Sequence, residues 1–279
     1  MRWSLLDCNQ DLIYNQYTYF MMKNYISNIS VAVVAGGIGE RLRPFTIDKP
    51  KAMLEVGLER KPMLEFTIAP WINLGVKNYI FCTGYKKEVI KNYFKDGSKF
   101  GINIEYSDEE TKLETGGAIK NAIDQEKIRK DEPIIIFYCD DLVRLNAMNF
   151  IKSHLIGVEN GFKATLTATN KFRTNYGILE IDKKNKKVRG VIKFEEKPLI
   201  GKNTNVGIYF LEPEVLNLID KNKLPFKFER LILPELVKKN WLNAYEISWE
   251  DWIPVNTEKD YEEVLKIKLS EFYSKILQK

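Results

Sequence analysis

A short apolar segment that leads directly into a glycine-rich loop is the feature that most constrains the fold of this chain. Residues 29–35 read ISVAVVA, a continuous β-branched run of the kind that forms a strand buried on both faces of a parallel sheet. Gly36, Gly37 and Gly39 follow at once. Because glycine lets backbone N–H groups approach a phosphate closely, the sequence predicts an anion-binding turn at the end of this strand.

The segments after this strand alternate between helical and strand-like patterns. Helices are predicted for residues 62–75, 86–94 and 115–125, and strands for residues 76–83, 102–107 and 133–139. Strands that alternate with helices at short spacing are typical of an open, doubly wound sheet with helices on both faces. We therefore predict an α/β, Rossmann-like fold around a mostly parallel mixed sheet.

The second half of the chain has a different rhythm, because its strand-like segments lie closer together. These segments read ATLTAT, YGILEID, VRGVIKF and NVGIYFL, and helices are predicted over 213–220, 228–239 and 258–274. No linker rich in Pro, Gly or Ser separates the two halves. We predict a single domain over residues 29–279, in which antiparallel strands from 146–279 extend the sheet begun by 29–145.

The net charge restricts the partners of the protein. The chain has 43 Lys and Arg against 38 Asp and Glu, which gives a formal charge of +5. Its densest basic cluster, between two strand-like runs, is predicted to be a solvated hairpin tip: Lys183, Lys184, Lys186 and Lys187. One charged turn is not a basic face, so no nucleic-acid partner is expected. A modest positive balance suits small polyanions such as triphosphates.

Cysteine use and hydropathy favour a cytoplasmic location. Cys8, Cys82 and Cys139 are odd in number and form no CxxC pair, so neither a disulfide framework nor a zinc site is expected. No stretch approaches the roughly 18 uninterrupted apolar residues of a membrane span. We expect no membrane contact, and the sequence leaves the oligomeric state open, a homo-oligomer included.

Residues 1–28 precede the first predicted strand and show little periodicity. They are rich in Asn, Gln and Tyr, and they lack the charged start and apolar run of a signal peptide. Met21 and Met22 stand just before the first strand. Our hypothesis is that 1–28 form an N-terminal extension, with residues 1–24 either poorly ordered or upstream of the functional start.

The glycine-rich loop continues into a cationic segment, AGGIGERLRPFTIDKPKAM over residues 35–53. A triphosphate brings about four negative charges, so fixed cations beside a glycine turn suit phosphoryl transfer, which depends on positioning and electrostatic stabilisation. The dinucleotide-binding pattern does not fit, because Leu42 stands where its third glycine belongs. A Walker A motif does not fit either, because no Gly-Lys-Ser/Thr follows.

This segment resembles the signature of the nucleoside-diphosphate-sugar pyrophosphorylases, which are sugar-1-phosphate nucleotidyltransferases. Their pattern is GGxGxRLxPxT followed by a Pro-Lys pair, and every fixed position is present here: Gly36-Gly37-x-Gly39-x-Arg41-Leu42-x-Pro44-x-Thr46, then Pro50-Lys51. The resemblance extends over about residues 29–268. It implies that Arg41 and Lys51 are catalytic and hold the triphosphate, and that Ala35 and the loop glycines bind the nucleotide.

Two further segments resemble the nucleotide half of the family. LETGGAIKNA (113–122) is similar to the nucleotide-binding loop, which implies nucleotide contacts at four positions: Glu114, Thr115, Gly116 and Gly117. Glu114 stands where the family commonly has glycine, and an ordinary helix start is the alternative. IIIFYCDDL (134–142) resembles the strand ending in Gly-Asp, which implies that Asp140 is catalytic and binds Mg²⁺. Asp140 and Asp141 could instead cap the next helix.

The segments YGILEID and FEEKP resemble the sugar-phosphate half, which assigns 29–145 to the nucleotide and 146–279 to the sugar phosphate. The resemblance implies that Gly177 lies against the sugar, that Glu196 accepts hydrogen bonds from its hydroxyl groups, and that Lys197 neutralises its phosphate. TNVGIYFL (204–211) resembles the strand written NAGIY, which implies that Asn205 is a further sugar contact.

One departure from the family concerns the second metal carboxylate. The family has Trp-x-Asp-x-Gly-Thr where this chain has Trp252-Ile253-Pro254-Val255-Asn256-Thr257. Pro254 occupies the aspartate position and cannot bind a metal. In an extended segment Asp251 points to the opposite face, and Glu250 lies roughly 13 Å back along the strand. Asp140 remains, with Asp141 as a candidate helper.

Together these features predict an enzyme that joins a hexose 1-phosphate to a nucleoside triphosphate with Mg²⁺ and releases pyrophosphate. The resemblance favours mannose 1-phosphate with GTP, then glucose 1-phosphate with dTTP or UTP. Pro254 leaves an alternative open, a homologue of the same fold that binds these ligands with weak or no turnover.

Overall fold

The computed structural model describes residues 25–174, 176–184 and 189–274. Residues 1–24, assigned from the sequence to the extension, and two of the four clustered lysines lie outside the described residues. Residues 25–28 form a helical turn, and Ile26 is buried in the same apolar cluster as Ile29. The packed core therefore includes a residue that the sequence placed in the extension.

Strands and helices follow one another along the described chain. The strands are β1 (Ser30–Val34), β2 (Glu55–Val56), β3 (Lys61–Pro62), β4 (Asn78–Thr83), β5 (Asn103–Asp108), β6 (Ile134–Tyr138), β7 (Asp141–Val143), β8 (Ala164–Thr169), β9 (Phe172–Arg173), β10 (Ile178–Ile181), β11 (Val191–Glu195), β12 (Leu199–Ile200), β13 (Thr204–Leu211), β14 (Leu242–Ile247) and β15 (Trp252–Pro254). The helices are α1 (Met63–Leu74), α2 (Lys87–Phe94), α3 (Glu114–Asp124), α4 (Ala147–Glu159), α5 (Pro213–Asp220), α6 (Phe228–Lys238), α7 (Glu258–Val264) and α8 (Leu269–Ser274). Among the described helices, none combines the length and apolar character needed to cross a bilayer.

A seven-stranded sheet forms the centre of the molecule, in the order β14-β8-β13-β6-β1-β4-β5. Strands β1, β4, β5 and β6 are parallel to one another. Strand β13 is antiparallel to both of its neighbours, β6 and β8, while β14 is parallel to β8. The mostly parallel mixed sheet expected from the sequence is therefore confirmed. The expected extension by antiparallel strands is wrong in part, because within this sheet β8 and β14 run parallel to β6, β13 is antiparallel, and β10 and β11 lie outside it.

Helices cover both faces of this sheet. Successive side chains of each strand point to opposite sides, so neighbouring residues of one strand pack into different apolar clusters. Val31 and Val33 belong to one apolar cluster, together with residues of α1, α2 and α4. Ala32, between them in sequence, belongs to the other cluster, with residues of α3, α5 and α6. The unbroken apolar run of β1 thus has a physical reason, since both faces of the strand are buried and each buried aliphatic side chain contributes roughly 1.5–3 kcal/mol.

The arrangement of strands brings several loops to one edge of the sheet. The carboxyl ends of β1, β4, β5 and β6 meet there because these strands are parallel. The amino end of β13 lies at the same edge because this strand runs in the opposite direction beside β6. Ligands of open α/β sheets bind at the carboxyl ends of the strands, so this edge is where a site is expected.

Short two-stranded pairs extend from the central sheet. Strand β7 pairs with β15, which places Pro254 opposite Asp141. Strand β10 pairs with β11, and this ribbon leaves several large apolar side chains exposed, Phe194 at 60% and Ile192 at 63%. Gly177 directly precedes the first strand of this ribbon, and Glu196 directly follows its second strand. The two residues therefore lie at the same end of the ribbon.

The helix predicted over residues 258–274 is wrong in one respect, because the structure has two helices there, α7 and α8. The interruption depends on residues 58 and 59, far away in sequence. The N–H of Leu58 donates to the carbonyl of Ile267, and the Glu59 carboxylate accepts from the N–H groups of Leu269 and Ser270 at 3.1 and 2.8 Å. These bonds satisfy backbone groups at the start of α8, so a new helix begins.

We predict that Glu59→Gln lowers the free energy of unfolding by about 0.5–1 kcal/mol at neutral pH, as expected for a weakened cap. Burial acts to raise the pKa of Glu59, but hydrogen bonds from Ser270 and Leu269 outweigh it and lower this pKa to about 2. The stabilisation is therefore present above the ordinary pKa and is lost as the pH falls from about 4.5 toward 2.

Urea unfolding at pH 7 and pH 3 measures this difference, with Glu262→Gln, an exposed glutamate in α7, as the matched control. A gap between wild type and Glu59→Gln that shrinks toward pH 3 agrees with the account. A gap of equal size at both pH values would contradict it.

Candidate functional site

The glycine-rich loop leaves β1 at the carboxyl edge of the sheet and is closed by its own motif residues. Gly39 has φ +69°, a conformation that side chains disfavour, and its carbonyl accepts a hydrogen bond from the buried Thr46 hydroxyl at 3.0 Å. The Leu42 side chain is 1% exposed and anchors the loop in the core. These contacts explain why the motif contains a glycine, a leucine and a threonine at these spacings.

Lys51 lies directly beside the loop. A Cβ added to Gly39 would come within 3.0 Å of Lys51 Cβ, so a glycine is required where the two segments meet. The Lys51 side chain is 8% exposed, which leaves its ammonium group with little solvent contact. Buried charges in proteins are normally paired, so the partner of the Lys51 ammonium group indicates what this part of the protein binds.

Arg41 and Lys51 share a single acceptor. The Asn256 side-chain oxygen, Oδ1, accepts from Arg41 Nη2 at 3.1 Å and from Lys51 Nζ at 3.3 Å. A guanidinium and an ammonium group thus converge on one neutral oxygen. These are the two groups that the resemblance predicts to hold the triphosphate. The two cations that the sequence selected lie together.

Asp140 follows β6 at the same edge. Burial raises the pKa of the Asp140 carboxyl group, while the charges of Lys51 and Arg41 act to lower it. The charge of Glu229, in α6, acts in the opposite direction and raises this pKa. Asp140 is adjacent in sequence to Asp141, whose carboxylate accepts from the same Asn256 amide that contacts both cations.

Asp141 has a structural position beside Asp140. Its carboxylate accepts hydrogen bonds from Trp252 Nε1 at 2.8 Å, from the Val255 N–H at 3.1 Å and from Asn256 Nδ2 at 3.4 Å. Both oxygens are thus used to attach β7 to β15 and the segment after it. Helix α4 is capped by Asn146, not by the aspartates, so the capping alternative is wrong.

Asp251 and Glu250 do not replace the missing carboxylate at position 254. Asp251 forms an ion pair with Arg144, and its carboxylate accepts from the guanidinium group. Glu250 is exposed on a short helical turn. The sequence-based expectation that neither residue takes this role agrees with these positions.

The segment LETGG forms the start of α3. Glu114 has φ +64° and lies in ion-pair distance of Lys112 and Lys227. The Thr115 hydroxyl donates to Glu229 at 2.8 Å and accepts from the Phe228 N–H at 3.1 Å.

The two glycines of this segment are packed against the connection between α5 and α6. The N–H groups of Gly116 and Gly117 donate to the Phe226 carbonyl at 3.0 and 3.1 Å. A Cβ on Gly116 would come within 2.3 Å of the Phe226 ring. The packing therefore accounts for Gly116, and any nucleotide contact of this segment is made by other atoms than these two N–H groups.

Glu109 lies beside Gly36 of the glycine-rich loop, and the sequence did not single it out. Its Oε1 lies 3.2 Å from where a Cβ on Gly36 would be, and its Oε2 accepts from the Leu113 N–H at 3.1 Å. Burial raises the pKa of this carboxyl group. The residue is hard to find from sequence because it sits within an acidic run, where a solvated surface is the ordinary expectation.

The residues predicted to bind the sugar phosphate lie along the β10–β11 ribbon and at the start of β13. A Cβ on Gly177 would come within 2.9 Å of Glu196 Oε2, so these two residues are adjacent. Lys197 follows with φ +48° and is half-buried. Asn205 Nδ2 donates to the Tyr209 hydroxyl at 2.6 Å, while its Oδ1 accepts from the Gly207 N–H.

Residues 30–269 match the family model described as nucleotidyl transferase. The chain is 32% identical over 236 residues to the mannose-1-phosphate guanyltransferase of Pichia angusta, a match that covers 82% of this chain and 61% of that protein. It is 30% identical over 237 residues to the protein of the same name from Saccharomyces cerevisiae, covering 82% and 62%.

The fold has a solved counterpart as well. The crystal structure of HddC from Yersinia pseudotuberculosis matches with a TM-score of 0.62 and 25% identity, over 85% of this chain and 97% of that chain. The chain spans about 61% of the length of the first curated relative. Since the family model covers residues 30–269, the chain belongs to the nucleotidyl transferase family.

Proposed function

We propose that the protein is a sugar-1-phosphate nucleotidyltransferase, which joins a hexose 1-phosphate to a nucleoside triphosphate and releases pyrophosphate. The observation that supports this most directly is the convergence of Arg41 and Lys51 on one oxygen beside Asp140. Relatives at about 30% identity are named mannose-1-phosphate guanyltransferase, so mannose 1-phosphate with GTP is the first candidate pair. Glucose 1-phosphate with dTTP or UTP is the second.

In the proposed reaction an oxygen of the sugar phosphate attacks the α-phosphorus. A P–O bond forms there, and the bond from the α-phosphorus to the bridging oxygen breaks to release pyrophosphate. The attacking phosphate is already ionised at neutral pH, so no general base is required. Arg41 and Lys51 would balance the charge that develops on the leaving pyrophosphate, which is the main contribution a protein makes to such a transfer.

The sugar phosphate is proposed to lie against the β10–β11 ribbon. Glu196 would accept hydrogen bonds from sugar hydroxyl groups, and Lys197 would neutralise the phosphate. A side chain at Gly177 would collide with the Phe194 ring and with the Glu196 carboxylate, so the position of Glu196 depends on this glycine. Asn205, at the amino end of β13, lies at the same edge of the sheet as Asp140 and is the further proposed sugar contact.

The residues at the end of β6 fit one divalent cation, for which we propose Mg²⁺ held by Asp140. Magnesium commonly uses one or two carboxylates together with substrate phosphates and water. Asp141 is occupied by its three hydrogen-bond donors, and Pro254 offers no ligand. When bound, the ion would neutralise part of the triphosphate charge.

Glu109 supports a guanine base at the nucleotide position. Its carboxylate is an acceptor-only group beside Gly36. Guanine presents two N–H donors side by side, at N1 and N2, which one carboxylate can accept. Uracil and thymine present a single N–H between two carbonyl groups, so they can donate only one hydrogen bond to a carboxylate.

The alternative is a homologue that binds these ligands with weak or no turnover, and Pro254 is the feature that favours it. The two cations and Asp140 favour the enzyme. Pyrophosphate release, measured over a panel of nucleoside triphosphates and sugar 1-phosphates with magnesium titrated, separates the two. Release with any pair supports the transferase, whereas ligand binding without release supports the alternative.

We predict that Arg41→Ala and Lys51→Ala each lower kcat/KM for pyrophosphate release by roughly a hundredfold or more, about 3 kcal/mol, because each removes a charge from the leaving group's position. Arg43→Ala is the matched control, since Arg43 is an exposed arginine in the same segment. Near wild-type turnover in both Arg41→Ala and Lys51→Ala, under conditions where wild type is active, would contradict the assignment.

We predict that Glu109→Gln weakens the preference for GTP over dTTP and UTP by roughly 10- to 100-fold, since one good bidentate contact to a base discriminates by about 1–3 kcal/mol. The substitution keeps the shape and replaces one acceptor oxygen with a donor. Glu110→Gln, the adjacent exposed glutamate, controls for charge. An unchanged order of nucleotide preference would show that Glu109 does not contact the base.

A further inference from the structure

The proposed function assigns no role to Asn256. Its Oδ1 is the shared acceptor of Arg41 and Lys51, which come from a segment more than 200 residues earlier. The amide contributes no charge to the site. It stands at the glycine position of the Trp-x-Asp-x-Gly-Thr pattern, two residues after Pro254.

The amide is held in a defined orientation. Its Nδ2 donates to Asp141 Oδ1 at 3.4 Å, so the oxygen faces the cations. Its backbone N–H donates to Asp260 Oδ2 at 2.9 Å, and the next residue, Thr257, forms the capping box of α7 with the same aspartate. The side chain is therefore fixed both by β7 and by the start of a helix.

A second contact joins the same two segments. The Phe45 ring, in the cationic segment, lies 4.9 Å from the Tyr261 ring in α7, measured between centroids. Tyr261 is itself fixed by a hydrogen bond from its hydroxyl to the Glu55 carbonyl at 2.9 Å. The capped start of α7 thus packs against the loop that holds Arg41, and Asn256 lies where the two meet.

The Asn256 oxygen affects the electrostatic repulsion between Arg41 and Lys51. Two positive groups held close together repel each other, and the repulsion is stronger where solvent is excluded, as it is around Lys51. A shared acceptor offsets the repulsion and keeps both groups aimed at one point. Because an amide oxygen is neutral, it does this without the lasting ion pair that a carboxylate would form in competition with a phosphate.

We propose that Asn256 is a positioning residue, which holds Arg41 and Lys51 converged on the place that an oxygen of the polyphosphate occupies in the complex. This inference rests on the proposed function, because it assumes that the two cations bind a triphosphate. In this chain, where Pro254 supplies no carboxylate, the cations are organised by an amide from the following turn. Asn256 acts through Arg41 and Lys51 and does not itself take part in bond making.

Titration of inorganic pyrophosphate and of GTP, with magnesium, into wild type, Asn256→Ala and Asn256→Asp tests the proposal. We expect Asn256→Ala to raise both dissociation constants by about tenfold, the size of a lost hydrogen bond to a charged group. Asn256→Asp is expected to raise them further, and more strongly at low salt, because a carboxylate neutralises the cations. In steady-state kinetics KM for the triphosphate rises in both variants, while KM for the sugar phosphate stays within twofold.

Thr257→Ala is the matched structural control, because it removes only the hydroxyl that accepts from the Asp260 N–H and keeps the bond from the Asn256 N–H to Asp260 Oδ2, so the amide stays in place. It is expected to lower the melting temperature without changing pyrophosphate affinity. Unchanged or tighter pyrophosphate binding by folded Asn256→Ala would overturn the proposal. Wild type that binds neither pyrophosphate nor GTP would instead refute the proposed function, so the two failures are distinct.

Discussion

The convergence of two cations on one oxygen, at the carboxyl edge of a parallel sheet, is the constraint on which the rest of the site depends. Arg41 reaches this point from the turn after β1, and Lys51, ten residues later, reaches it from a second short helical turn. Asp140 arrives from β6, the strand next to β1. Under the proposed function, a polyanion would meet groups that are fixed before it binds, so little reorganisation would be needed.

The motif residues act mainly by fixing that geometry. Gly39 allows Lys51 to pack beside the loop, the Thr46 hydroxyl closes the loop on the Gly39 carbonyl, and Leu42 is buried in the core. Contacts from far along the chain complete the arrangement, through Asn256 and the capped start of α7. The cations are therefore organised by both ends of the domain, which explains why the signature alone does not specify the site.

Local patterns predicted the parallel strands, the doubly wound class and the two cations, because buried strands and glycine turns leave short-range signals. Long-range contacts could not be predicted in this way. Glu59 interrupts the C-terminal helix, Phe226 explains Gly116, and Asn256 takes an acceptor position, each through residues more than 100 positions apart in sequence. The sequence showed that Pro254 replaces the aspartate of the family pattern. It did not show that Asp141 attaches the segment after Pro254 through a hydrogen bond.

The measurement that tests the central claim most directly is a crystal structure with a non-hydrolysable GTP analogue and Mn²⁺, whose anomalous signal locates the metal. The account predicts phosphate oxygens within about 2.7–3.2 Å of the Arg41 guanidinium and the Lys51 ammonium, with the metal peak on the Asp140 carboxylate. A triphosphate bound at another surface, or one that contacts neither cation, would contradict it.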